Sequence, residues 1–235
     1  MRVAFGSFTA NAWGSRFLRQ FAVELPTTPE DRRRILVRTR GAAQQFLREK
    51  RGTLPDRKAR LIYGLCSLVL AGYREVLALT GDPARAVEAV RAAYLRTHQA
   101  PARLMTRAFL RLASEPAKVL SWLPLAWYAR RMYGSAMEFG QEKTEEGIDL
   151  IVSRCAFHQF FVEHGEPSLT RIFCGWDRNW MDVVEASDRP MRVERPSTLS
   201  TGGMCCRFSF IRDTEKGLGP SIDIVLAARP GRSDA

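Results

Sequence analysis

The chain has 235 residues, a hydrophobic content of 46% and a formal net charge of +11. This length and apolar share can build a sizeable core, and they exclude a disordered chain. The positive charge raises nucleic-acid binding, but its one dense run, Arg32-Arg33-Arg34 followed by Arg38 and Arg40, lacks zinc-finger spacing or an aromatic RNA-binding motif, so no specific nucleic-acid partner is expected.

In chain order, residues 1–28 read as an irregular arm, and Gly6, Ser7, Thr9 and Asn11 break any secretory apolar region. Thr28-Pro29-Glu30-Asp31 predicts a helix start, with Thr as N-cap, Pro in the first turn and acids beside the positive helix end. That helix runs to about Lys50, and Gly52 to Asp56 breaks it. A second spans about Arg57 to Leu79 and is apolar enough to be largely buried. Gly81-Asp82-Pro83 ends one helix and starts the next. There Ala86, Val87, Val90, Ala93 and Tyr94 share a face. Further helices are predicted at about Pro101 to Ala113 and Pro116 to Met132, the last interrupted by Pro124.

No run of about eighteen apolar residues is present, so no transmembrane span is expected. The longest apolar runs are Leu61 to Tyr73 and Val119 to Tyr128. The second is flanked by Lys118, Arg130 and Arg131, as a membrane-surface helix would be, but its length favours a buried helix.

The pattern changes near Gly134. Ile148, Leu150 and Val152 alternate as in a strand. Met191 to Thr201 reads as extended, with Pro196 requiring an edge or a bulge. Gly202-Gly203 supplies a turn into a strand from Met204 to Arg212, whose Cys206, Phe208 and Phe210 share one face. A last strand is predicted at Ser221 to Ala227. Two helices, at about Cys155 to His164 and Asp177 to Ala186, interrupt the sheet. The fold class is therefore α+β: a helical N-terminal region (1–133), then an antiparallel sheet with inserted helices around a small-molecule pocket (134–228). Residues 229–235 form a polar tail expected to be disordered.

Five cysteines, an odd number at uneven spacing, make a poor disulfide framework and point to reduced thiols in a cytoplasmic setting. Two of the five, and two of the three histidines, fall between Arg154 and Asp177. On a helix after Val152, Phe157, Phe160 and Phe161 cover one side, and Cys155 and His158 share the other. Cys155 in the first turn, where the helix end lowers a thiol pKa, beside an imidazole is an arrangement for a nucleophile. The plainer alternative is a packed thiol and a surface histidine.

Cys174-x-x-Asp177 offers an acid/base group or an orienter of His158, although an N-cap explains Asp177 equally well. Cys155, His158, Cys174 and one of Cys205 or Cys206 could ligate zinc, but no Cys-x-x-Cys is present. Glu194-Arg195-Pro196 and Thr198 lie on the extended segment. An Arg held near a Glu could clamp a carboxylate, and an ordinary cross-strand ion pair is the alternative.

Three pieces together resemble the L-2-amino-thiazoline-4-carboxylic acid hydrolase family: R-C-A-F-H-Q-F-F-x-x-x-G from Arg154, F-C-x-W-D from Phe173, and E-R-P-S-T-L-S-T-G-G-x-x-C-R-F-S-F from Glu194. The resemblance implies cofactor-free hydrolysis of a cyclic amidine carbon–nitrogen bond, opening a thiazoline ring to an N-carbamoyl amino acid. Cys155, His158, Cys174, Asp177, Glu194, Arg195 and Cys206 match its recurring polar positions, which leaves the nucleophile open; Cys155, His158, Cys174 and Asp177 are the catalytic candidates, and Glu194, Arg195 and Cys206, with Thr198 on the same segment, the substrate-binding ones. In that scheme Cys155 attacks or His158 activates water, Asp177 assists His158, and Arg195 holds the substrate carboxylate. The expected partner is a small carboxylate-bearing molecule, and a homo-oligomer is compatible. G-G-x-x-C-R-F-x-F at Gly202 to Phe210 is also similar to the end of 4-vinyl reductase-type ligand-binding domains. A non-catalytic sensor domain and a structural zinc protein are the alternatives.

Overall fold

A computed structural model describes residues 12–50, 52–97 and 99–216. Phe17, Leu18, Phe21 and Leu25 recur at helical spacing and are all buried. That apolar stripe is why Ala12–Glu24 folds as helix α1 rather than as part of an irregular arm. The residues before it lie outside the described ones.

Helix α2 (Pro29–Glu49) starts as its sequence predicts, with the Asp31 amide donating to Thr28 Oγ1 at 3.2 Å. Helix α3 (Arg57–Thr80) is capped by Asp56, which accepts from the Ala59 amide at 2.7 Å, and ends at Gly81 with φ +66°. Asp82 Oδ1 then accepts from the amides of Ala84 and Arg85 to open α4 (Pro83–Thr97). Helices α5 (Gln99–Leu112), α6 (Pro116–Trp122) and α7 (Leu125–Tyr133) follow, with Pro124 separating the last two.

Helix α3 is long and apolar enough to cross a membrane by length and composition, which the count of consecutive apolar residues overlooked. Here it is a core helix: every residue from Gly64 to Tyr73 is buried, and α2, α4 and α8 pack around it.

The sheet holds β1 (Glu138–Lys143), β2 (Gly147–Arg154), β3 (Met191–Ser197) and β4 (Cys206–Arg212) in the order β1-β2-β4-β3, every pair antiparallel. Strand β1 escaped prediction because Glu138-Phe139-Gly140-Gln141-Glu142-Lys143 carries one large apolar residue. Pro196 sits on an edge strand and within the register shift between Glu194 and Ser197, so both of its conditions are met. Ile148, Leu150 and Val152 pair with Phe210, Phe208 and Cys206 on the face turned to the helices. On the other face Arg207 bonds Asp149 and Glu142.

Between β2 and β3 the chain forms α8 (Ala156–Glu163), a 3-10 turn at Pro167–Leu169, α9 (Thr170–Trp176) and α10 (Arg178–Glu185). The change of secondary structure at residue 134 is not a gap in the core. Phe46 of α2 meets Phe160 of α8 at 6.5 Å between ring centres, and Tyr94 of α4 meets Phe173 of α9 at 4.4 Å. The strand predicted at Ser221 to Ala227 and the polar tail lie outside the described residues.

Candidate functional site

Strand β3 alternates, with Met191, Val193 and Arg195 turned inward and Arg192, Glu194 and Pro196 exposed. This puts Arg195 under the sheet, its guanidinium carbon 4.7 Å from the centre of the Phe208 ring. Its Nη1 donates to the Cys174 carbonyl at 2.9 Å and pairs with Asp177 Oδ2 at 3.2 Å. Its Nε is buried without a hydrogen-bond partner. Glu194 is exposed and pairs with Arg192 at 3.5 Å. The expected Glu194–Arg195 pairing is thus corrected, because adjacent strand residues face opposite sides.

Asp177 stands at the N-cap position of α10, as its sequence suggests, but its side chain does not cap the helix. Its backbone is helical (φ −62°, ψ −26°), α9 runs almost directly into α10, and its side chain makes no capping hydrogen bond. The carboxylate faces inward, where Oδ1 accepts from Trp180 Nε1 at 3.4 Å. Burial raises its pKa to about 6, against the opposing pull of Arg195 and of the Trp180 hydrogen bond.

The thiols surround this pair. Cys174 Sγ lies 3.3 Å from Ser200 Oγ, and Cys206 Sγ accepts from the Leu199 amide at 3.4 Å. Cys155 occupies the N-cap position of α8, yet burial pushes its thiol up to about 12. The amides of His158 and Phe157 act in the opposite direction and do not prevail. The expected depression of the Cys155 pKa is therefore overturned, because loss of water outweighs the helix end. Burial also raises the Cys206 pKa, with Arg195 pulling it down.

The helical half contributes more than its sequence indicated. Burial raises the pKa of Tyr94 strongly, and Cys66, Tyr133, Asp177 and Cys174 lie near enough to add to that rise. Tyr133 is pushed up to about 12 by burial, with Asp177 and Cys155 as contributing neighbours. In the sequence Tyr94 reads only as part of a packing face, and a hydroxyl on that otherwise apolar stripe is the available signal. Ser200 and Trp180 carried no signal of their own.

The structure thus brings Cys155, Cys174, Asp177, Arg195 and Cys206 into one interior with Tyr94 and Tyr133. His158 is directed elsewhere: its Nδ1 lies 3.3 Å from Thr170 Oγ1, and Asp177 is engaged by Arg195 and Trp180 instead. Thr198 belongs to the turn over the thiols, with Oγ1 at 3.1 Å from Ser200 and 2.8 Å from Thr201. Among the described residues no three His, Cys, Asp or Glu side chains converge as a metal site would require, which leaves the zinc reading without a ligand set.

Surface concavities lie elsewhere among the described residues. One of roughly 730 Å³ lies between α1 and α2, and one of roughly 240 Å³ is lined by residues including Phe109, Leu120, Trp180 and Phe210. Neither is lined by the thiols, Asp177 or Arg195. The Leu199–Thr201 turn covers that cluster through Leu199 and Ser200.

A helix-backed antiparallel sheet encloses a carboxylate–guanidinium pair among thiols and phenols, which defines an α+β protein with a buried polar cluster. A family model described as L-2-amino-thiazoline-4-carboxylic acid hydrolase matches residues 62–210. The chain belongs to this family, and that membership supports a hydrolase-type function. The match begins within α3, so it takes in Cys66, Tyr94 and Tyr133 together with the residues of the sheet. No curated protein and no solved structure matches the chain.

Proposed function

We propose that the protein opens a small carboxylate-bearing cyclic amidine, L-2-amino-thiazoline-4-carboxylate or a close relative, by adding water to the amidine carbon. Atom balance fixes which bond breaks. An N-carbamoyl product keeps both nitrogens on that carbon, so water adds there and the ring carbon–sulfur bond is lost. A carbon–nitrogen cleavage, as the resemblance first implied, would yield a different product. The expelled ring sulfur takes a proton and leaves as a free thiol.

The observation that carries this reading is the Asp177–Arg195 pair. Nη1 serves Asp177 and Cys174, the guanidinium also reaches Cys206, and the buried Nε has no hydrogen-bond partner, so a second carboxylate can bond Nε once the cover over the cluster opens. Asp177, with its pKa raised to about 6, is suited to take a proton from the attacking water and return it to the departing sulfur. Cys155, held neutral by burial, lines the site on this reading. Substrate enters when the Leu199–Thr201 turn moves aside. Reduced thiols suit the cytoplasm.

The test is incubation of the purified protein with L-2-amino-thiazoline-4-carboxylate. Free thiol and ammonia are measured, and products are identified by mass spectrometry. One thiol per N-carbamoyl product and no ammonia is the expected result, with loss of turnover in Arg195→Met. Ammonia release would refute carbon–sulfur cleavage. Saturable binding without any product would favour the sensor reading.

A further inference from the structure

Among the described residues, eight of the fifteen exposed large apolar side chains fall within α5 to α7. Leu112 is 88% exposed and Trp122 76% exposed, and Val119, Trp127, Tyr128 and Met132 are exposed as well. Residues 99–133 also hold six basic residues against one acid, Glu115; Arg130 turns inward to β1 and Lys118 pairs with Glu115, which leaves Arg103, Arg107, Arg111 and Arg131 as the remaining cations. Part of this charge is set beside the aromatic rings, with the Arg131 guanidinium 5.7 Å from the centre of the Trp127 ring.

The helices belong to one region of the surface. Phe109 of α5 and Leu120 of α6 border the same concavity, and α7 follows α6 after the Leu123-Pro124 break. The inner sides of the segment are fixed: Leu110 and Ala117 are buried with Val184 and Met191, and Ala126 and Arg130 bond to β1. The outer side therefore does not serve the core of this chain.

Eight large apolar side chains exposed along one helical stretch exceed the single surface residues that soluble proteins ordinarily leave without a partner. Charge selects among partners. In a two-fold dimer this patch would meet its own copy, placing like charges together. A nucleic acid would use the arginines but leave Leu112, Val119 and Met132 in water. An anionic lipid surface matches both properties: the cations meet headgroups, while indole, phenol and aliphatic side chains enter the interface. We infer that α5–α7 form a docking surface for an anionic phospholipid bilayer. This binding is peripheral and does not depend on the proposed hydrolysis.

The experiment is co-sedimentation of the full chain with vesicles of phosphatidylcholine alone, or of phosphatidylcholine with one quarter phosphatidylglycerol. Salt is varied, and Trp122→Ser/Trp127→Ser is compared with wild type. The expected result is binding to the anionic vesicles only, weakened by salt and reduced at least about tenfold in the variant. Circular dichroism of the variant should be unchanged, because both residues are exposed. Absence of binding to the anionic vesicles would overturn the inference, as would binding that the variant leaves intact. A dimer in light scattering that the same substitutions dissolve would assign the patch to a second copy instead.

Discussion

Arg195 Nη1 lies 3.2 Å from Asp177 Oδ2 and donates to the carbonyl of Cys174 at 2.9 Å, so one nitrogen ties β3 to the end of α9. The two charged side chains are 14% and 21% exposed, which leaves little water to stabilise either. Removing one partner strands the other charge, and such losses cost about 3–5 kcal/mol. Arg195→Met should therefore destabilise the protein more than Arg195→Met combined with Asp177→Asn. Urea unfolding of wild type and the two variants measures this, and equal losses in the single and the double variant would show that the pair is not coupled.

The raised pKa of Asp177 sets a pH dependence of definite sign. The folded state holds this proton more tightly than the unfolded state, whose value is near 3.8. Stability from this group is therefore fully present below 3.8 and is lost as pH rises through about 6. The loss amounts to at most about 3 kcal/mol. Wild type minus Asp177→Asn should show a decline over that interval in chemical denaturation. Turnover should rise through the same interval as the carboxylate ionises, and Asp177→Asn should lower it by about 10²–10⁴-fold. A wild-type rate that is flat through this interval would remove Asp177 from the proton transfer.

Cys155 should behave as a packed thiol. With its pKa pushed up to about 12 it has almost no thiolate at neutral pH, so iodoacetamide should label it far more slowly than a free thiol. Cys155→Ser should keep turnover within about tenfold of wild type, since a nucleophile would lose far more. Peptide mass spectrometry after substrate exposure tests the alternative directly, and a substrate adduct on Cys155 would replace water attack with covalent catalysis.

Residues that cap or break helices were the most legible in the sequence. Thr28, Asp56, Gly81, Asp82 and Pro124 act where their chemistry requires, because caps and breaks are local. Strand β1 was not legible, since it is fixed by pairing with β2 and carries little apolar pattern of its own. Helix α9 was missed because its seven residues, with Gly175 near the end, are too short to show a period. The site divided along the same line. Arg195 and Asp177 were recognisable as residue types, but their pairing depends on β3 meeting the α9–α10 junction. Tyr94 and Tyr133 reach the site from helices whose sequence shows only a packing face.

The shared core predicts one unfolding transition for both halves. Phe160 is buried and meets both Phe46 and Tyr63 edge-on, so it joins α8 to α2 and α3. Phe160→Ala should cost about 3–5 kcal/mol. Far-UV circular dichroism, dominated by the helices, and tryptophan fluorescence should shift together. Separate midpoints would show that the halves fold independently.

Asp56 ties the halves together a second time. Its carboxylate caps α3 and also accepts from the Ser135 amide at 2.7 Å and the Ser135 hydroxyl at 2.8 Å. Burial raises its pKa, but the hydrogen bonds from Ser135, Ala59 and Lys58 outweigh that effect and bring it to about 2. The resulting stability is present above the ordinary value of 3.8 and is lost as pH falls toward 2. Asp56→Ala should cost about 2 kcal/mol at neutral pH and much less in acid. Gly134 closes the same joint: its φ is +80°, and a Cβ there would lie 2.6 Å from Asp56 Oδ2. Gly134→Ala should therefore be destabilising by about 1–3 kcal/mol. Part of that cost is a clash with the carboxylate and part is backbone strain. In an Asp56→Ala background only the strain remains, so the two losses should sum to more than the double variant shows. Additive losses in denaturant titrations would mean that the loop at Gly134 moves clear of Asp56, and the joint would then be looser than this geometry implies.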